Sequence, residues 1–261
     1  MPGDQPTTLQ RRSAARTAVV WDALRDALTT AAGAGSGVAQ VVDIGGGTGG
    51  FAVRAAELGH RVTVVDPNPD ALAILARRAD ESGVADRVTA HQGDLGTLGE
   101  LLGDREADLV PAGGADVVLC HGVLEIVDDV EAALVAITEV LRPGGVLSLL
   151  VNQRHAAVIT RAMAGHFGQA RAILDQDGSS GPAGGTGRRF TADEVTAVLD
   201  ATGFDAGPMH AVRVFVDLVP SSLVDLEPGA AERLVELEQA VAGRPEYLPL
   251  ATQIHTLATR R

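Results

Sequence analysis

A glycine-rich run directly after an apolar segment is the part of the sequence best suited to hold a ligand. Asp43 ends the apolar segment, and Gly45, Gly46 and Gly47 open a run of glycines that continues to position 50. Glycine has no Cβ, so it suits a turn in which φ is positive and in which a ligand approaches the backbone closely. Asp66 ends the next apolar segment 19 residues after Gly47, which is the separation expected of an acid that binds ribose hydroxyls. These residues predict a nucleoside cofactor at the carboxyl ends of two strands.

Two acids favour S-adenosylmethionine over NAD as this cofactor. The spacing Gly45-x-Gly47-x-x-Gly50 also fits a dinucleotide-binding turn, and a glycine turn that only joins strand to helix is a further alternative. Asp43 precedes the glycines, where its carboxylate can reach the methionine ammonium. Asp94, followed by Leu95, comes after the third apolar segment and suits the adenine amino group. The sequence therefore predicts an S-adenosylmethionine site.

The elements that position these residues are apolar segments alternating with alanine-rich helical ones. The apolar segments between about residues 38 and 151 begin at Gln40, Arg61, Arg87, Ala115 and Gly145. They lack in-out alternation, which is typical of strands buried on both faces. Repeated βαβ units predict an α/β fold with a doubly wound parallel sheet.

The regions on either side of this core have weaker signals. Helices are predicted from about residues 8 to 32 and over 228–242, and strands over 210–219 and 253–259. An insertion of loop and helix is expected after the fifth strand, in a weakly patterned stretch that includes a loop over 177–187. A capping box, formed by Thr191 and Glu194, predicts another helix start. We expect one domain with a helical cap at 1–35, a cofactor-binding core at 36–151 and a substrate-side region at 152–261. One late strand is expected to run antiparallel at a sheet edge.

Composition excludes several other classes of protein. The chain has no lysine, which excludes Schiff-base chemistry and a P-loop, and a single cysteine, Cys120, which excludes a cysteine-based zinc cluster. Its net charge of −13 disfavours tight non-specific binding to nucleic acid. No apolar stretch reaches membrane-spanning length and the N-terminus lacks a signal-peptide pattern, so we expect a cytoplasmic protein without a metal. The oligomeric state is left open.

The segment after the fourth strand limits the reaction. It reads Cys120-His121-Gly122-Val123-Leu124-Glu125 and lacks the Asn/Asp-Pro-Pro-Tyr block of amino-group methylators. Cys120 is expected to be a core residue. His121 leaves the strand at the cofactor edge, where it is a candidate cofactor contact and a candidate catalytic base.

Three longer segments carry a family resemblance: His121 to Glu125, Leu141 to Leu149, and Met163 to Phe167. With Tyr247 and His255, and with Arg16 five residues before Trp21, the chain resembles the bacterial methyltransferases that esterify the carboxylate of 5-carboxymethoxyuridine in the tRNA wobble position. These are class I S-adenosylmethionine-dependent enzymes. The resemblance implies a Rossmann-like seven-stranded sheet and a role in tRNA modification.

The resemblance also assigns roles to residues. It implies that Arg16 meets the cofactor carboxylate, that Gly45 and Gly46 contact the methionine end and that His121 lies at the cofactor edge, while Asp66 and Asp94 take the ribose and the adenine. A guanidinium pairs with a carboxylate through two hydrogen bonds, which agrees with the role of Arg16.

A carboxylate acceptor is already ionised at neutral pH, so it requires cationic orientation and no base. Arg213 is a further catalytic candidate because it falls inside a predicted apolar strand, where an unpaired charge is costly. The substrate-side candidates are Arg154, His155, Arg188, Arg189, Arg213 and Tyr247. The methyl acceptor is a modified tRNA or a small carboxylate. The alternatives are a small-molecule O- or C-methyltransferase of secondary metabolism and a non-catalytic module that senses S-adenosylmethionine.

Overall fold

The computed structural model describes residues 8–33, 37–98, 113–176, 187–220, 223–224 and 229–261. Within them, seven strands form one sheet in the order β3-β2-β1-β4-β5-β7-β6. They are β1 (Gln40–Ile44), β2 (Arg61–Asp66), β3 (Val88–Gln92), β4 (Ala115–His121), β5 (Leu141–Asn152), β6 (Phe204–Val212) and β7 (Gln253–Arg260). Strands β1 to β5 are parallel, and β7 runs antiparallel between β5 and β6. The predicted doubly wound α/β sheet with one antiparallel strand is confirmed.

Helices pack on both faces of this sheet. They are α1 (Thr8–Gly33), α2 (Ala52–Glu57), α3 (Pro69–Glu81), α4 (Val130–Val140), α5 (Arg154–Met163), α6 (Phe167–Leu174), α7 (Ala192–Ala201) and α8 (Ala230–Ala242). One core cluster joins β4 and β5 to α4 and α7, and a second joins β1 and β2 to α1, α2 and α3. Cys120 lies fully buried in the first cluster, as expected. Strand β4 is buried along most of its length because both faces are covered.

Side-chain caps fix where several of these helices begin. The Asn68 side chain accepts from the N–H groups of Asp70 and Ala71 at the start of α3, and Asp129 accepts from Ala132 at the start of α4. The predicted capping box of Thr191 and Glu194 is present at the start of α7. Such caps satisfy N–H groups that a helix cannot pair internally.

The predicted insertion after β5 contains the helices α5 and α6, and the loop predicted at 177–187 lies outside the described residues apart from Gly187. One prediction for the C-terminal region is wrong. The strand predicted at 210–219 instead spans Phe204–Val212. It stops there because the next backbone N–H groups, from Val214 to Val216, donate to the Glu238 carboxylate and not to a neighbouring strand.

Helix α1 covers the sheet beside the carboxyl ends of the central strands. Val19 and Val20 pack with Leu150 at the end of β5 and with Val212 at the end of β6. The N-terminal segment therefore contributes one long helix to the edge of the sheet where the predicted cofactor residues lie.

Among the described helices, none is both long enough and apolar enough to cross a membrane.

Candidate functional site

The glycine turn after β1 brings backbone close to two acidic side chains. Gly45 has a φ of 69°, and its N–H donates to the Val65 carbonyl at 2.7 Å. A Cβ on Gly46 would lie 2.6 Å from the Asp43 carboxylate and 2.9 Å from the Val64 side chain. The Gly47 N–H donates to Asp66 Oδ2 at 2.8 Å. A larger side chain therefore has no room at Gly46, and hydrogen bonds on either side of it hold the turn to the end of β2.

Asp43 and Asp66 place two carboxylates at the ends of neighbouring strands. Asp43 is 3% exposed, and burial, with the charge of Asp66 adding to it, raises its pKa to about 7. Asp66 is also buried, and its second oxygen accepts from the Asn68 N–H at 2.9 Å. A buried carboxylate that is this reluctant to ionise is stabilised by a cation placed beside it, which fits the ammonium of S-adenosylmethionine.

A cavity of about 560 Å³ continues from this edge between β3 and α4. Asp94, Leu95 and Gly96 line one side, and the segment from Val123 to Asp129 lines another. The Asp94 side chain is exposed, and its Oδ1 accepts from the Thr97 N–H at 3.0 Å, which holds the carboxylate in place. The lining is mostly apolar and also includes the acidic residues Asp94, Asp128 and Asp129, which fits a flat ring that carries an amino group.

His121 ends β4 beside the glycine turn. Its ring contacts Phe51 edge-on at 4.8 Å between centroids, and Phe51 lies 6.4 Å from Trp21 of α1. Its Nε2 is 2.9 Å from Ser148 Oγ, whereas its Nδ1 is buried with no hydrogen-bond partner in the described part of the chain. Burial lowers the pKa of His121 to about 4, so the ring is neutral at neutral pH.

Arg16 and Arg213 meet on one carboxylate, although sequence reasoning treated them separately. Arg16 pairs with Asp217 Oδ1 at 3.0 Å, and Arg213 pairs with Asp217 Oδ2 at 2.6 Å. Arg213 Nη1 also donates to Gln253 Oε1 at 3.3 Å, and Gln253 donates to Asn152 at the end of β5. The two guanidinium groups therefore flank a single carboxylate at the carboxyl edge of the sheet.

The prediction that Arg213 sits inside an apolar strand is wrong. It follows the end of β6 with a φ of 62°, a left-handed conformation that residues other than glycine rarely adopt. The turn after it is held by Glu238, which is 0% exposed and accepts from the N–H groups of Val214, Phe215 and Val216 at 2.7–2.9 Å. Arg213 is therefore fixed by its backbone and by its charged partner.

Two of the substrate-side candidates are occupied by structural contacts. Arg154 pairs with Glu194 at 2.8 Å and ties the start of α5 to the start of α7. Arg188 is 5% exposed and donates to carbonyls of the segment after β4, at Leu124, Val127 and Asp128. Both arginines are therefore held by contacts within the protein.

The remaining candidates lie nearer to open surface. Arg189 is half-buried, and burial lowers its pKa, with Arg161 adding to the effect and Glu125 opposing it. His155 is exposed, and its Nδ1 lies 3.3 Å from Gln153 Nε2. Tyr247 packs against Phe215 at 6.1 Å between ring centroids.

Sequence reasoning missed Asp217, Ser148 and the unpaired oxygen of Glu125. Glu125 Oε1 accepts from the Asn152 N–H at 2.7 Å, while Oε2 is buried without a partner among the described residues, and burial raises the Glu125 pKa to about 7. Asp217 stands four residues after Arg213, and this spacing was a usable signal. Ser148 gave none, because a serine within an apolar strand is an ordinary occurrence.

Comparison with known proteins identifies the class. Residues 42–147 match the family model described as a methyltransferase domain. The strand order and the geometry of the glycine turn agree with that match. The domain match, the sheet topology and the glycine turn together support a methyltransferase that depends on S-adenosylmethionine and has the class I fold.

Individual relatives extend the similarity over most of the chain. The tRNA 5-carboxymethoxyuridine methyltransferase of Escherichia coli K12 is 29% identical, and the match covers 94% of this chain and 88% of that protein. A ubiquinone biosynthesis O-methyltransferase of Xanthomonas axonopodis is 33% identical over 49% of this chain and 48% of its own length. The crystal structure of magnesium protoporphyrin IX methyltransferase from Synechocystis PCC 6803, with bound SAH, has a TM-score of 0.59 at 14% identity, and the match covers 99% of this chain and 90% of that one.

Proposed function

We propose that this methyltransferase esterifies a carboxylate, and that the acceptor is a carboxymethoxy-type uridine of tRNA. The observation that carries the proposal is the convergence of Arg16 and Arg213 on the carboxylate of Asp217, with nitrogen-to-oxygen distances of 3.0 and 2.6 Å. Asp217 shows that a carboxylate fits between these guanidinium groups. An acceptor carboxylate that reached this edge would pair with the Arg213 guanidinium, while the Arg16 guanidinium pairs with the carboxylate of the cofactor.

The state of His121 supports an acceptor that is already ionised. Burial lowers the pKa of His121 to about 4, which makes it a weak base for removing a proton at neutral pH. A carboxylate attacks with an oxygen lone pair and has no proton to lose, so orientation is the main requirement. Arg213 supplies this orientation, and Asp217 balances its charge when no acceptor is present.

We assign the cofactor contacts to the residues at the ends of β1, β2 and β3. When bound, S-adenosylmethionine would supply an electrophilic methyl group on its sulfonium, which an oxygen nucleophile can attack. Asp43 holds the ammonium, the backbone of Gly45, Gly46 and Gly47 allows close approach, and Asp66 accepts from the ribose. The adenine amino group is assigned to Asp94 with Leu95 packing beside the ring, and the cofactor carboxylate to Arg16.

The acceptor side is assigned to the residues around the end of β5. We assign acceptor binding to Arg213, Arg189, His155 and Tyr247, of which Arg213 is held at the strand ends by its hydrogen bond to Gln253. Because the proposed acceptor is tRNA, we expect this enzyme to act in the cytoplasm. The relative with 29% identity over 94% of the chain supports tRNA as the acceptor.

A small carboxylate is the second candidate, and the charge of the chain favours it. With a net charge of −13 and no lysine, the protein repels a polyanion on average. A tRNA enzyme must overcome this repulsion locally through its arginines. Binding to tRNA would then weaken steeply as the salt concentration rises.

The acceptor class is tested by incubating the protein with methyl-labelled S-adenosylmethionine and separate tRNA and small-molecule fractions of its host. The proposal expects label in tRNA, and expects transfer to decline steeply with salt. Label confined to the small-molecule fraction would replace tRNA with a small acceptor. A matched incubation with the Asp66→Ala variant, which lacks the ribose acceptor, controls for methylation by contaminating enzymes.

A further inference from the structure

Four polar side chains form a hydrogen-bonded row across four neighbouring strands, and only the first of them, His121, lies at the proposed site of methyl transfer. His121 on β4 contacts Ser148 on β5, with Nε2 and Oγ 2.9 Å apart. Ser148 Oγ lies 2.9 Å from His255 Nε2 on β7, and His255 Nδ1 lies 3.4 Å from His210 Nδ1 on β6. The row runs from the cofactor edge to the outermost strand of the sheet.

The sheet register places these residues on one face. His121 pairs with Leu150, Leu150 with His255, and His255 with His210. Residues that pair directly across strands share a face, and so do residues two apart on one strand. Ser148 is two residues before Leu150, so its hydroxyl reaches between the two histidine rings. The row is therefore a consequence of register.

Burial leaves these groups dependent on one another. Ser148 and His255 are 0% exposed, and His210 is half-buried. Burial lowers the pKa of all three histidines, and the nearby rings lower that of His255 further. No carboxylate in the described part of the chain hydrogen-bonds to any of the three rings. Each ring is therefore neutral and carries a single N–H.

Counting protons gives the row a direction. Ser148 has one hydroxyl proton, so it donates to one histidine and accepts from the other. His121 Nδ1 is buried without a partner in the described structure, and a buried N–H without an acceptor is rarer in proteins than a buried acceptor without a donor. The proton of His121 is therefore placed on Nε2, where it donates to Ser148. Ser148 then donates to His255 Nε2, and His255 donates from Nδ1 to His210 Nδ1.

We propose that Ser148, His255 and His210 are positioning residues that hold His121 as the Nε2–H tautomer, so that its Nδ1 offers a lone pair to a donor group of the bound cofactor or acceptor. The proposal rests on the placement of His121 at the cofactor edge. It requires His255 to carry its proton on Nδ1, the less common tautomer of a free imidazole. His210 supports this tautomer from the far end of the row.

The tautomers can be read directly by ¹⁵N NMR of the histidine rings in the cofactor-free protein at neutral pH. The proposal expects a protonated Nε2 in His121 and a protonated Nδ1 in His255. It expects Ser148→Ala to give mixed tautomers in both rings. A protonated Nε2 in His255, or tautomers unchanged by Ser148→Ala, would overturn it.

Cofactor affinity gives a second readout. Ser148→Ala should weaken S-adenosylmethionine binding by about threefold to tenfold, the ratio contributed by one neutral hydrogen bond. Ser148→Thr, which keeps the hydroxyl, should recover both the affinity and the wild-type tautomers. Thr256→Val is the matched control, because it removes a neighbouring buried hydroxyl that donates to the Gly207 carbonyl outside the row. An equal loss of affinity in Thr256→Val would make the effect structural and contradict the proposal.

The tautomer measurement is independent of the acceptor. If no methyl transfer to a carboxylate occurs, the proposed function fails while the NMR result still stands. If the NMR result fails while transfer to a carboxylate is observed, only the inference about the row is lost.

Discussion

The two halves of the carboxyl edge are built by different means. In the cofactor half, at the ends of β1 and β2, most of the shape comes from backbone, since Gly46 leaves space beside Asp43 and the Gly47 N–H reaches Asp66. In the acceptor half, at the ends of β5 and β6, the shape comes from charged side chains that meet from distant parts of the chain. A site shaped by closely packed backbone is disrupted when a substitution adds an atom to it. A site shaped by side chains can change its binding properties through single substitutions.

The largest effect is expected from adding one carbon to the backbone half. Gly46→Ala should weaken cofactor binding about 100-fold, because the new Cβ would lie 2.6 Å from the Asp43 carboxylate and would displace this carboxylate from the position assigned to the ammonium. Isothermal titration with S-adenosylmethionine measures it. Gly50→Ala is the control, since a Cβ there meets nothing within 4 Å. Equal affinity in the two variants would show that the turn is not close to the cofactor.

Removing a charge from the side-chain half should affect the acceptor alone. Arg213→Met keeps the apolar stem and should raise the acceptor KM by about tenfold to 30-fold, the lower part of the range for a hydrogen bond to a charged group. The cofactor Kd should stay unchanged.

The control for this substitution is Arg261→Met, which removes the same charge at the other end of β7, where Arg261 pairs with Asp200 at 2.9 Å. A weakened cofactor Kd in Arg213→Met, or an equal KM change in Arg261→Met, would remove the distinction between the two halves.

The smallest effect is a pH dependence confined to the cofactor half. Burial raises the pKa of Asp43 to about 7, so below this pH the carboxyl group is mainly protonated and must lose its proton to bind a cation. Cofactor affinity should therefore fall about fivefold between pH 7 and pH 6 and level off above pH 8. Asp43→Asn should bind more weakly with little pH dependence over this range. A slope retained in that variant would assign the titration to another group.

The cofactor half was predictable from sequence because its residues are local. The glycine turn, Asp43, Asp66 and Asp94 each follow a strand whose apolar pattern is visible, and the carboxyl ends of parallel strands share one edge of the sheet. Their placement needs only the βαβ pattern. The doubly wound fold and its antiparallel strand followed from the same pattern.

The acceptor half was not predictable because its contacts depend on long-range packing. Arg16 and Arg213 meet only because α1 lies across the ends of β5 and β6, and Arg213 leaves the predicted strand only because Glu238 captures the next three N–H groups. Nothing in the local sequence signals a carboxylate on a later helix as the partner of those groups. Arg154 and Arg188 were candidates by type and position, yet their partners are structural.

The measurement that tests the central claim most directly is the stability of the transferred methyl group in alkali. Product labelled by the wild-type protein is isolated, exposed to mild base, and assayed for volatile methanol. A carboxyl methyl ester releases its label quantitatively under these conditions, which is the result this account predicts. Label that survives the base, as an ether or a carbon-bound methyl group would, contradicts esterification of a carboxylate.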